Sequence, residues 1–176
     1  MLTNSPVRHA EADEKGLISV AIADMVVTQD QSATLITHAL GSCIGVTIYD
    51  PVAKVAGMIH FMLPDSKTNA QKAADKPGMF GDIGVPMLFK AAYDLGAKKE
   101  RMIVCAAGGA EVMSADTQFR IGARNRTLIR KLFWKNNILL AADETGGDIS
   151  RTMVLRMTDG TVSIRNKGTE RQLWPL

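Results

Sequence analysis

Apolar positions along the chain fall more often in short β-branched runs than at helical spacing. Residues 17–27, 34–40, 43–50 and 54–63 each read as a strand. Residues 102–107 and 138–142 are two further apolar runs of strand length. Residues 152–157 and 162–165 flank Asp159-Gly160, which signals a two-residue hairpin. Helical spacing appears twice. Val85, Leu88, Phe89 and Ala92 share one face of a helix over 84–95, with Gly96 placed to end it; Ile121, Leu128, Ile129, Leu132 and Phe133 line a second helix through about Asn136. Residues 64–79 carry Pro, Asn, Gln, Lys and Asp without periodicity and read as a long exposed loop. Strands outnumber helices and several are joined by tight turns. The pattern therefore predicts an α/β domain of the α+β type: mixed, largely antiparallel sheets flanked by two main helices. Residues 1–16 are polar and mixed in charge and read as a disordered tail, leaving 17–176 as a single domain.

Composition changes this picture little. The chain has 176 residues, 46% hydrophobic and 22% charged, which excludes collagen, coiled coil and disorder. A net charge of +3 is too weak to argue for nucleic acid or a membrane surface. No apolar run is long enough to span a bilayer, and no leader is visible. The two cysteines, Cys43 and Cys105, cannot build a disulfide framework or a Cys-rich zinc module, and their scarcity suits a reducing cytoplasm. No phosphate or dinucleotide fingerprint is present, so no cofactor is expected.

The chemistry concentrates between Thr37 and His60. Asp50-Pro51 opens a turn. A four-residue loop over 50–53 sets Tyr49 opposite Lys54, Ile48 opposite Val55, Val46 opposite Gly57 and Ile44 opposite Ile59. The last three of these pairs share one face, which is almost wholly branched and apolar. On the other face the same register brings Cys43 opposite His60, with Cβ atoms about 4.5–5.5 Å apart. Such a pair activates a nucleophile: the imidazole takes the thiol proton, and the resulting cation stabilises the thiolate. Gly41-Ser42 at the strand start could leave amides free for an oxyanion hole. The plainer alternative is a small buried Cys43 beside a satisfied sheet histidine. Metal ligation by His38, Cys43 and His60 lacks ligand spacing. A nucleophile elbow at 41–45 would need a following helix, but Val46-Thr47-Ile48-Tyr49 is strand material. Cys105 reads as inert core. Gly108-Gly109 reads as a strand end, or as a place where a substrate backbone comes close. Arg120, Arg124, Arg126, Arg130, Lys131 and Lys135 read as a solvated helix face that could dock an acidic partner.

Thr37-x-x-Leu40-Gly41-Ser42-Cys43 followed by His60-Phe61-Met62-Leu63-Pro64 resembles the chemoreceptor glutamine deamidase family, CheD. Asp82-Ile83-Gly84-Val85-Pro86, Gly108-Gly109-Ala110, Ile121-Gly122-x-Arg124-Asn125 and Glu144-Thr145-Gly146-Gly147 extend the likeness in order from about Leu17 to Arg165. Val104-Cys105-Ala106-Ala107 and Ser150 depart from the pattern. The resemblance implies a fold similar to bacterial toxin deamidases. It also implies a cytoplasmic cysteine amidohydrolase converting receptor glutamines to glutamate, with Cys43 as nucleophile, His60 as base and acid, and Thr37 orienting His60. Ser42 and Gly41 would support the oxyanion, and Gly108 and Gly109 would border the cleft. Neither metal nor cofactor is implied. The partners implied are the cytoplasmic helices of chemotaxis receptors and a CheC-type phosphatase. A non-catalytic adaptor and a methyl-glutamate esterase are the competing functions.

Overall fold

The computed structural model describes residues 6–111 and 120–175. In chain order its strands are β1 (Arg8–His9), β2 (Leu17–Ser19), β3 (Met25–Thr28), β4 (Thr34–Leu40), β5 (Ile44–Asp50) and β6 (Val55–Phe61). Helices α1 (Ala70–Asp75) and α2 (Gly81–Asp94) follow, then β7 (Ile103–Gly108) and α3 (Ile121–Lys135). The chain closes with β8 (Ala142–Thr145), β9 (Arg151–Arg156), β10 (Val162–Asn166) and β11 (Thr169–Trp174). A six-stranded sheet is ordered β1-β3-β6-β5-β7-β8, and a five-stranded sheet β11-β10-β9-β4-β2. Every parallel pair (β1 with β3, β2 with β4, β7 with β8) involves an edge strand, and all other pairs are antiparallel. The mixed, largely antiparallel class read from the pattern is the one observed.

Two cores explain the layers. On one face of the six-stranded sheet, Ile44, Val46, Ile48, Ile59 and Phe61 pack with Leu88, Phe89, Ile129 and Phe133 of α2 and α3. On its other face, Tyr49, Ala56, Met58, Cys105 and Ala107 pack with Leu35, Leu40, Met153 and Leu155 of the second sheet. β5 and β6 are therefore buried along their whole length, because both faces are covered.

Several expectations are corrected. Residues 17–27 are not one strand: β2 and β3 lie in different sheets, and the chain turns between them at Ala23, which has φ +63°. This connector is hydrogen-bonded to both sheets, Val20 N–H to the Ile36 carbonyl (2.9 Å) and Ala23 N–H to the His60 carbonyl (2.8 Å). Residues 8–9 leave the expected tail to join the sheet edge, with Val7 buried. Residues 64–79 are not an open loop: Asp65 and Asn69 cap two short helical turns by accepting from Lys67 N–H and Lys72 N–H. Residues 138–141 are not strand: Ile138 and Leu140 pack on the helix-side core, Ala141 on the inter-sheet core, and Leu139 is exposed. β8 begins at Ala142, where parallel pairing with Cys105 starts. β11, absent from the expectation, pairs with β10 across a turn at Lys167-Gly168, both at positive φ. No helix among the described residues is long and apolar enough to cross a membrane.

The Asp50 carboxylate fixes the β5–β6 turn. It is fully buried and accepts from the amides of Val52 (2.8 Å), Ala53 (3.0 Å) and Lys98 (2.8 Å), and from Arg101 Nη2 at 2.7 Å. Burial pushes its pKa up, but Arg101 and those amides outweigh burial and hold the carboxyl below the ordinary carboxylate range. Asp50→Ala is expected to cost about 3 kcal/mol in urea unfolding, because it orphans buried donors and a guanidinium. The contribution of Asp50 is complete above its unfolded value of 3.8 and is lost as pH falls below it.

Candidate active site

The β5–β6 ladder runs from Asp50–Val55 through Ile48–Gly57 and Val46–Ile59 to Ile44–Phe61. It is slipped by two residues from the expected pairing, so His60 faces Gly45 rather than Cys43. The turn causes the slip. Asp50 remains in the strand, anchored as above, and Lys54 takes the last loop position at φ +53°. A slip of two preserves the pleat, whereas a slip of one would have turned every side chain over. The core face is therefore as expected. Cys43 packs on the inter-sheet core, the layer into which His60 also points to reach Thr37. Cys43 lies one position beyond the end of the ladder, and the expected hydrogen bond between its sulfur and the His60 ring is not formed.

Thr37 on β4 joins the second sheet to His60 on β6. Its Oγ1 lies 2.7 Å from His60 Nδ1 and 2.7 Å from the Val20 carbonyl. A hydroxyl has one proton, and a carbonyl can only accept. Thr37 therefore donates to Val20 and accepts from Nδ1–H, which fixes the tautomer and leaves Nε2 as a bare lone pair. Nε2 is buried and has no hydrogen-bond partner among the described residues. Burial pushes the imidazole down to about 4, so His60 is neutral at pH 7. Burial also pushes the Cys43 thiol up, with its own amide pulling weakly the other way. The resting pair is thiol and neutral imidazole, not the thiolate and imidazolium expected from sequence. Cys43 is half-buried while His60 is fully buried, so Cys43 is the more exposed member of the pair.

The Cys43 loop is held from behind. Gly109 N–H donates to the Cys43 carbonyl (2.7 Å) and Ala110 N–H to the Gly41 carbonyl (2.8 Å). Gly108 has φ +102°, and a Cβ there would collide with the Cys43 carbonyl oxygen. The Gly108 carbonyl accepts from Gly146 N–H (2.8 Å) and that of Gly109 from Arg126 Nη1 (3.0 Å). Gly108 and Gly109 thus buttress the Cys43 segment, and these polar groups are engaged within the protein rather than open to a substrate backbone. The Gly41 amide donates to the Ala39 carbonyl (2.9 Å), so this expected oxyanion donor is engaged within the loop. His38 is exposed on β4 and meets Thr152 Oγ1 at 3.2 Å, away from Thr37's buried contact with His60. Among the described residues no three His, Cys, Asp or Glu are placed to hold a metal.

Sequence reasoning missed Asn125 as a site residue. It is fully buried on α3, and Nδ2 donates to the carbonyls of Ser42 (2.9 Å) and Met62 (2.8 Å). Gly122 allows this approach: a Cβ there would collide with the Ala110 carbonyl. The available signal was a polar residue in the apolar stripe of Ile121, Leu128, Ile129 and Leu132.

Two measurements check this electrostatic picture. In an NMR titration His60 is expected to titrate near pH 4, and stability is expected to fall as pH drops from 6.5 toward that value, because the unfolded chain binds a proton that the folded one refuses. Cys43 is expected to alkylate faster than Cys105, which is fully buried and pushed up to about 11 by burial. Faster labelling of Cys105 would overturn the assignment of Cys43 as the accessible thiol.

The family described as CheD chemotactic sensory transduction matches residues 62–166, more than half of the chain. A protein of Syntrophus aciditrophicus (strain SB) named "Probable chemoreceptor glutamine deamidase CheD 1" is 48% identical over 153 residues, 87% of this chain and 96% of that relative. The "Probable chemoreceptor glutamine deamidase CheD" of Solibacter usitatus (strain Ellin6076) is 42% identical over 158 residues, 90% of this chain and 94% of the relative. The crystal structure of a Bacillus licheniformis hypothetical protein, YfiH, is similar at a TM-score of 0.35 and 11% identity, covering 80% of this chain and 62% of that one, too distant a likeness to bear on the chemistry. With a family match over most of its length and near-full-length relatives above 40% identity, the chain belongs to the CheD family.

Proposed function

We propose that this chain deamidates glutamine side chains of chemotaxis receptors to glutamate, with Cys43 as nucleophile, His60 as general base and acid, and Thr37 orienting His60. The observation that carries the mechanism is the single hydroxyl proton of Thr37. Because it goes to the Val20 carbonyl, His60 Nδ1 keeps its hydrogen and Nε2 remains a free base. Family membership and the deamidase names of the relatives support the reaction class.

The reaction divides into two halves. Nε2 takes the Cys43 proton as the sulfur attacks the glutamine side-chain carbonyl carbon, and the oxyanion forms beside the Ser42–Cys43 amides. The tetrahedral adduct expels ammonia, which leaves with the proton returned from His60, and a thioester remains. His60 then takes a proton from water, the hydroxide adds to the thioester, and the sulfur departs and recovers the proton. Glutamate is the product. A thiol and a neutral imidazole suit this sequence, since the proton moves only as the carbonyl is attacked. The substrate would be the cytoplasmic helices of a receptor, the location the cytoplasm, and a CheC-type phosphatase a partner.

Mass spectrometry of a receptor cytoplasmic fragment tests the reading. Wild-type protein is expected to convert glutamine to glutamate and Cys43→Ala to leave it unchanged. His60→Ala is expected to lose about 10²–10⁴ in kcat, and Thr37→Val about tenfold, because the imidazole survives without its fixed tautomer. Equal conversion by wild type and Cys43→Ala would reject the nucleophile.

A further inference from the structure

We infer that Asn125 is a positioning residue that sets Cys43 against His60. This rests on the nucleophile and base assigned above. The β5–β6 ladder ends at Ile44–Phe61, so Cys43 and Met62 would form the next pair. That pair lies outside the ladder. Beyond Phe61 the chain turns its amides elsewhere: Met62 N–H and Leu63 N–H both donate to the Met79 carbonyl, at 2.9 and 3.0 Å. The strand ends carrying the two reactive groups therefore part where their separation has to be fixed.

Asn125 bridges this gap. Ser42, the residue before Cys43, and Met62, two residues after His60, both present carbonyl oxygens there. Two carbonyls cannot hydrogen-bond each other, and one NH₂ group with two protons can join them. Nδ2 does so at 2.9 and 2.8 Å. The amide thus replaces the missing rung of the ladder, supplied from a helix instead of a strand. Gly122, one turn earlier, lets α3 come close enough for this reach. The arrangement is costly. Asn125 is fully buried in an apolar stripe, and its Oδ1 has no hydrogen-bond partner among the described residues. An apolar residue at this core position would avoid the orphaned oxygen but would strip the Ser42 and Met62 carbonyls of this donor. What the asparagine adds is the pair of donors, and those donors act on the two backbone segments that hold the sulfur and the imidazole.

A double-mutant cycle on the full-length protein separates positioning from general support of the fold. The readout is alkylation of Cys43 by iodoacetamide at pH 7, with folding checked by circular-dichroism melts. Asn125→Ala is expected to slow alkylation about tenfold when His60 is present, and by less than about twofold in a His60→Ala background, since the two act through one proximity. With receptor substrate, kcat is expected to fall while KM stays within about threefold. Equal slowing in both backgrounds, or a folded Asn125→Ala that alkylates like wild type, overturns the inference. If Asn125→Ala does not fold, Asn125→Ser, which keeps one donor, takes its place. The wild-type protein supplies an independent check: both side-chain NH₂ protons of ¹⁵N-labelled Asn125 are expected to exchange far more slowly than those of free asparagine, and exchange at the free rate overturns the bridge. Alkylation needs no receptor, so an intact cycle in a protein that fails to deamidate sinks only the proposed function. A flat cycle in an active enzyme sinks only the role of Asn125.

Discussion

One short chain of hydrogen bonds ties the two sheets together at the point where chemistry is placed. The Val20 carbonyl, the Thr37 hydroxyl and the His60 ring lie in series, each link 2.7 Å long. Its direction follows from proton counting, not from a choice of rotamer, and it passes through three separate segments: the connector between β2 and β3, strand β4 and strand β6. The same connector is hydrogen-bonded into both sheets by its backbone. Moving one sheet against the other would therefore break the bond that defines the imidazole's tautomer. The packing of Leu35, Leu40, Met58 and Met153 between the sheets is consequently a condition for the state of one nitrogen atom.

The remaining constraints converge on the segment before β5. Gly108 lets the end of β7 press on the Cys43 carbonyl, and Gly122 lets α3 press on the Gly109–Ala110 backbone. Small residues at these contacts shorten the distances between elements until backbone groups meet. The result is a loop whose carbonyls at positions 41, 42 and 43 all accept hydrogen bonds from other parts of the fold. A half-buried sulfur on a loop tied at three successive carbonyls has a defined position without needing a deep pocket.

Much of this was legible in the sequence, and the errors have identifiable causes. Alternation assigned the faces of β5 and β6 correctly, because side-chain parity survives a slip of two. It could not set the register, which was decided by an Asp50 carboxylate that drew partners from as far away as Lys98 and Arg101. Local apolar runs could not reveal that residues 17–27 divide between two sheets, since Ile18, Val20, Met25, Val26 and Val27 are all buried and nothing local says against which sheet. The resting charge state of the Cys43–His60 pair was also out of reach, because it depends on desolvation from two layers that no local pattern encodes. Asn125 was visible as a polar residue in an apolar stripe, but its partners lie more than sixty positions away.

The desolvation of Cys43 has a consequence for redox chemistry. Peroxide attacks the thiolate, and cysteines that sense oxidants hold that anion at neutral pH in exposed, electropositive surroundings. Burial here does the reverse and keeps the sulfur protonated at rest. A half-buried cysteine held as a thiol in this way is a poorer target for peroxide than an exposed thiolate would be.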